Sequence, residues 1–166
     1  MGAGIEIVYT DERYVEGFNK VVDIVAREKK YLSMTSGFPM ESSRWFVDHM
    51  VKHKYPQYFL LADEELVGWC DIAPKEIPEF GHVGNLGLGL LAPYRGKGYG
   101  KKLLLKTIAH ARDVSRLEKV ELTVFESNAS AMRLYASVGF VVEGKRIKAR
   151  KIDGRYDNEI EMALFF

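Results

Sequence analysis

The chain has 166 residues, 47% of them apolar and 12% aromatic, and its 24 Lys and Arg against 23 Asp and Glu leave a net charge of +1. Such a chain fits one domain, residues 1–166, with a core of its own; it is too rich in aromatic residues for a disordered segment, and it has no global basic field to collect nucleic acid. A single cysteine, Cys70, excludes an internal disulfide, and no stretch reaches the ~18 consecutive apolar residues of a membrane helix.

The first ten residues contain Glu6 and no long apolar run, so no signal peptide is expected and the expected location is the cytoplasm. Ile5 to Tyr9 alternates as a strand does. Thr10 and Asp11 can cap a helix whose apolar face is Tyr14, Phe18, Val21, Val22 and Val25. A loop from Ser33 to Pro39 precedes a second amphipathic helix, capped near Glu41 to Ser43 and carrying Trp45, Phe46, Met50 and Val51. Trp45 is expected to pack between helices.

Tyr58 to Ala62 and Leu66 to Ala73 read as strands joined at Asp63-Glu64-Glu65, and Trp69 as a core residue. After an irregular stretch from Pro74 to Phe80, Val83 to Leu91 reads as a strand despite its glycines. Gly98 to Val114 reads as a helix with Leu103, Leu104, Ile108 and Ala111 inward. Lys119 to Phe125 is a predicted strand, and Ala129 to Val138 a helix stopped at Gly139. Phe140 to Lys151 and Tyr156 to Phe165 are strands turned at Asp153-Gly154. The succession makes an α/β (α+β) protein, a mixed sheet covered by helices.

Six of the 15 glycines fall between Gly84 and Gly100. Glycine inside a regular element costs ~0.5–1 kcal/mol relative to alanine, so such density has a reason. The last three form Arg95-Gly96-Lys97-Gly98-Tyr99-Gly100, directly between a strand and a long helix. A turn there aims main-chain N–H groups at one point, with the positive end of the helix dipole behind them. Arg95, Lys97, Lys101 and Lys102 add mobile positive charge, and the expected occupant is a phosphate or diphosphate. A P-loop is excluded because no Ser or Thr follows the lysine. The even spacing of Gly96, Gly98 and Gly100 does not fit the dinucleotide pattern.

Arg95-x-x-Gly98-x-Gly100 resembles the Arg/Gln-x-x-Gly-x-Gly/Ala signature of the GNAT superfamily of N-acetyltransferases. Asn128-x-x-Ala131-x-x-Leu134-Tyr135-x-x-x-Gly139-Phe140 resembles that family's next motif, at the expected distance. The resemblance covers nearly the whole chain in layout and implies a mostly antiparallel sheet of six to seven strands flanked by about four helices. It also implies an activity, the transfer of acetyl from acetyl-CoA to a primary amine by direct attack in a ternary complex. Under the resemblance the turn from Arg95 to Gly100, with Gly96, Lys97, Tyr99 and Lys101, holds the CoA diphosphate. The backbone of Leu88, Gly89 and Leu90 pairs with the pantetheine arm, and Leu90 N–H polarises the thioester carbonyl. Gly87 and Gly89 leave room beside such a ligand, or mark a bulge or tight packing. Asn128 bonds the pantetheine or caps the helix.

The resemblance further makes Tyr135 the group that faces the departing sulfur. A thiol near pKa ~8.5 against a phenol near ~10 permits proton transfer without driving it strongly. A base is harder to find. The glutamate that ribosomal-protein acetyltransferases of this family carry is matched by Thr123, which leaves Glu121 and Glu126 nearby, or a relay of water. Glu28, Tyr31 and Asn85 are candidates for acceptor contacts. His49 and His53 lack a third ligand, so no metal is expected. Lysine clusters read as solvated faces. The expected partners are acetyl-CoA and an amine, with neither nucleic acid nor membrane. The C-terminal strands could pair between subunits of a homodimer, as in relatives. A catalytically silent acyl-CoA-binding module is the alternative, and Cys70 lies on the wrong strand for a covalent route.

Overall fold

The computed structural model describes Gly2 and residues 4–166. Seven strands, β1 (Ile5–Tyr9), β2 (Gln57–Ala62), β3 (Glu65–Pro74), β4 (Val83–Leu90), β5 (Lys119–Phe125), β6 (Val141–Ile152) and β7 (Arg155–Phe165), form one sheet in the order β1-β2-β3-β4-β5-β7-β6. Every neighbouring pair is antiparallel except β4 and β5. Four α-helices cover it: α1 (Val15–Arg27), α2 (Met40–Lys52), α3 (Tyr99–Asp113) and α4 (Ala129–Ser137).

Strand side chains alternate between faces, and the core divides accordingly. On one face Phe59, Leu61 and Trp69 pack with Val15, Phe18, Val22 and Val47 from α1 and α2. On the other, Leu60, Cys70, Ile72, Val120, Leu122 and Val124 pack with Leu103, Leu104 and Ile108 of α3 and Tyr135 of α4. The hairpin turns are two-residue turns with both residues left-handed: Asp63 and Glu64 (φ 48° and 71°), then Asp153 and Gly154 (φ 51° and 77°). Glu65 therefore belongs to β3 rather than to its turn. Among the described residues no helix is long and apolar enough to cross a membrane.

Three local expectations are corrected. Asp11 caps a short 3-10 turn, Glu12–Tyr14, and α1 starts only at Val15. Thr10 turns inward instead, its hydroxyl donating to Gln57 Oε1 at 2.6 Å. Helix α2 begins at Met40 with Pro39 at its cap position and no side-chain cap; Ser43 is buried and accepts a hydrogen bond from Asn19 of α1 at 2.9 Å. Trp45 is 60% exposed rather than buried between helices, its ring stacking on His49 of the same helix.

Candidate active site

The parallel pair β4–β5 is where the sheet opens. Its register runs only from Val83–Lys119 to Asn85–Glu121, although β4 continues to Leu90 and β5 to Phe125. Past those three rungs the strands diverge. Val83 O and Leu91 N both bond towards β3, so by the alternation of a strand the N–H groups of Leu88 and Leu90 point into the gap. Their side chains join the α3/α4 core, which leaves the main chain itself as the wall of the opening.

The glycine turn closes one end of the gap. Gly96 and Gly98 sit at φ 71° and 84°, a conformation that costs other residues ~1–2 kcal/mol, and space around both is open. Gly98 is the cap residue of α3. The first intrahelical bond is donated by Lys102 N to Gly98 O, so the amides of Tyr99, Gly100 and Lys101 lack helical partners. The first turn of α4, capped by Asn128 Oδ1 on Ala131 N at 3.2 Å, faces the same space. Two positive helix ends thus converge on one cavity of about 820 Å³.

Leu88, Gly89 and Leu90 line this cavity together with Gly96, Gly98, Gly100, Asn128 and Tyr135. Its charged lining is Lys29, Lys30, Arg95, Lys101 and Arg150, with no carboxylate, which is the electrostatics of a polyanion site. Lys97 and Tyr99 are not in that lining, and Tyr99 packs against the α3/α4 core instead. Arg150 was not anticipated: it comes from β6, stacks 3.6 Å over Phe125, pairs with Asp157 at 3.2 Å and reaches Lys29 O. The hairpin thereby roofs the cavity against the α1–α2 loop.

Arg95 is no mobile cation. Its Nε donates to Leu90 O at 2.8 Å and its two terminal nitrogens to Glu28 at 2.9 and 2.6 Å, with the Tyr31 ring 4.6 Å away. The guanidinium holds the Glu28 carboxyl below its ordinary range, so Glu28 is a structural partner and not an available base. Glu121 fares likewise. Lys75 Nζ at 2.7 Å and Lys119 Nζ at 2.9 Å bind it, and hydrogen bonding to Lys75, then to Lys119, lowers its pKa. A carboxylate so clamped holds a proton poorly near neutrality, and Glu121 is set aside as base. Glu126 is taken by Lys145 and Asn158, both at 2.6 Å. Asn85 is exposed and lines a separate cavity of about 400 Å³ with Trp45, His49 and Phe80.

Tyr135 is buried apart from its contact with the large cavity. Burial, then the neighbouring Cys70, raises its pKa well above that of a free phenol; the hydroxyl stays protonated and is a standing hydrogen-bond donor. Cys70 is fully enclosed, and burial pushes its thiol up as well, which removes it as a nucleophile. The room expected beside Gly87 and Gly89 is filled by protein: a Cβ at Gly89 would lie 2.2 Å from the Trp69 ring, and one at Gly87 3.1 Å from Asp71 Oδ1. Sequence reasoning passed over Asp71, whose one signal was a lone acid inside an apolar strand. Among the described residues no cluster of metal-binding side chains occurs.

Known proteins resemble this chain. The L-amino acid N-acetyltransferase AaaT of Escherichia coli strain K12 is 30% identical over 101 residues, which cover 61% of this chain and 62% of the relative. The alignment thus spans less than two thirds of that relative's length. A GNAT-family acetyltransferase from Streptococcus pneumoniae has the same fold, with TM-score 0.91 over 98% of this chain and all of that one at 21% identity. So has a phosphinothricin acetyltransferase from Sinorhizobium meliloti in complex with acetyl-CoA, with TM-score 0.89 over 100% of this chain and 89% of that one at 14% identity. Residues 19–140, from α1 through the opened strand pair to the end of α4, match the model of the acetyltransferase (GNAT) family, and this chain belongs to that family.

Proposed function

We propose that this protein is an N-acetyltransferase that moves acetyl from acetyl-CoA to a primary amine by direct attack in a ternary complex. Acetyl-CoA, when bound, supplies an activated acetyl thioester. The residues present fit such a ligand in three ways. The amides of Gly96 to Lys101 and the α3 dipole suit a diphosphate, while Lys29, Lys30, Lys101 and Arg150 supply charge for its phosphates. The gap between β4 and β5 offers unpaired strand amides to an arm that carries amides of its own. Asn128, with Oδ1 committed to its helix, keeps its NH₂ group for the same arm.

Within this reading Leu90 N–H is the oxyanion donor, set on a strand whose end Arg95 pins through Leu90 O. Tyr135 donates a hydrogen bond to the departing sulfur. Its raised pKa makes the phenol a weaker acid than a thiol of ~8.5, so it stabilises the thiolate mainly by hydrogen bonding rather than by full proton transfer. The carrying observation is the opened β4–β5 pair, with main-chain donors along one wall and a protonated phenol against it. Titration calorimetry with CoA tests the binding. Thiol release from acetyl-CoA with a panel of amino acids, polyamines, aminoglycosides and peptide N-termini tests the turnover. Absent CoA binding refutes the proposal, and tight binding without thiol release from any amine makes the protein a silent acyl-CoA-binding module.

A further inference from the structure

We propose that Asp71 is the carboxylate that receives the acceptor's ammonium group and takes its proton, an inference that rests on the acetyltransferase reading above. Along β3 and β4, on the face covered by α1 and α2, the rungs run Trp69–Gly89, Asp71–Gly87 and Ala73–Asn85. Gly89 lines the large cavity, and Ala73 and Asn85 line the second one. The Asp71–Gly87 rung is the one between them. On the opposite face the intervening rung, Cys70–Leu88, packs in the cluster that contains Tyr135. Asp71 and Tyr135 therefore lie on opposite faces of the sheet, and Cys70, the residue before Asp71, neighbours Tyr135. A proton acceptor on the amine's side and a hydrogen-bond donor on the sulfur's side is the division of labour the reaction needs.

The carboxylate is prepared for this by its neighbours. Thr10 donates to Gln57 Oε1 at 2.6 Å, and Gln57 Nε2 faces Asp71 Oδ2 at 3.5 Å. All three residues are buried, so one oxygen is oriented from behind. Asp71 Oδ1 lies over Gly87, where a Cβ would come within 3.1 Å of it. A side chain there would crowd the carboxylate, and glycine leaves it in place. The groups shown against Asp71 carry no charge: Gln57 from β2 and Gly87 from β4, with the thiol of the adjacent Cys70 kept protonated by burial. Burial pushes its carboxyl up to about 7, opposed only by Gln57. Glu28, Glu121 and Glu126 are each paired with a cation; Asp71 is not. In the step, Oδ1 takes one proton from R–NH₃⁺, which leaves a neutral carboxyl and a neutral amine, and water later removes that proton.

The test uses the full chain saturated with CoA and carrying ¹³C-labelled aspartate, with the Asp71 carboxyl resonance assigned through Asp71→Asn. n-Butylammonium is expected to lower the midpoint of that resonance's pH titration by about one pH unit, because a cation stabilises the carboxylate. Asp71→Asn is expected to lower kcat/KM for the best amine of the panel roughly 100-fold or more and to abolish its limb near pH 7, with CoA affinity unchanged. Gly87→Ala keeps the carboxylate and is expected to raise the amine KM several-fold, which decides the matter should Asp71→Asn misfold. Wild-type protein that binds CoA and acetylates amines, with an unmoved Asp71 midpoint and indifferent variants, overturns this proposal alone. Loss of CoA binding in the wild type overturns the function itself.

Discussion

Gly89→Ala separates two readings of the glycines in β4. The added Cβ would lie 2.2, 2.4 and 2.8 Å from three Trp69 ring atoms, where ordinary carbon contacts are about 3.5–4.0 Å. The ring must retreat by more than ~1 Å, yet Trp69 is 4% exposed and stands edge-on to Phe18 with centroids 6.0 Å apart. Overpacking of this kind costs ~1–3 kcal/mol. At this chain length that is a melting temperature lowered by roughly 3–10 °C. Thermal denaturation of Gly89→Ala, Trp69→Phe and the double variant forms a cycle, and the double variant is expected to recover ~1 kcal/mol or more relative to additivity. If glycine instead serves the ligand, Gly89→Ala melts with the wild type and loses CoA affinity. That outcome, or strict additivity in the cycle, refutes the packing argument.

Tyr135→Phe removes the donor and leaves the shape, so kcat is expected to fall roughly 10–1000-fold with acetyl-CoA affinity preserved; equal kcat at saturation removes the role. If CoA bridges the strands as proposed, ligand at 100 times its Kd is expected to add ~2.7 kcal/mol of stability, read as a rise in melting temperature, and no rise counts against occupancy of the gap. Asp71 binds its proton more tightly in the folded chain than in the unfolded one, where the ordinary value is 3.8. The folded state therefore gains from this group at acid pH and loses that gain as pH climbs from about 4 to about 7. Asp71→Asn is expected to flatten stability over that window, and an unchanged slope in paired melting curves would show that the carboxyl titrates normally.

What could be read from the chain was what adjacent residues build. The strands and helices announce themselves through apolar spacing. The glycine turn is contiguous, so glycine, cation and helix start lie within a few positions of one another. The features that escaped are made by register and by distance. Arg95 looks like a free cation until folding brings Glu28, 67 positions away, against it. Glu121 looks available until Lys75, just past the end of β3, and Lys119 of its own strand close on it. Gly89 looks like space for a ligand because nothing local states that Trp69 pairs with it. Ser43 reads as a cap, but Asn19 claims its hydroxyl. Asp71 reads as an interruption of an apolar strand, and only the sheet shows that it lies between two cavities.

The divergence of β4 and β5 also bears on how the empty protein manages itself. Strand borders normally sit at a sheet's rim, where they invite foreign chains to add on. Here the diverging border lies mid-sheet, between helices on both faces, and is not offered at the rim. The two wings of the sheet meet there through three rungs, and under the proposed function the coenzyme would be the strut that braces them.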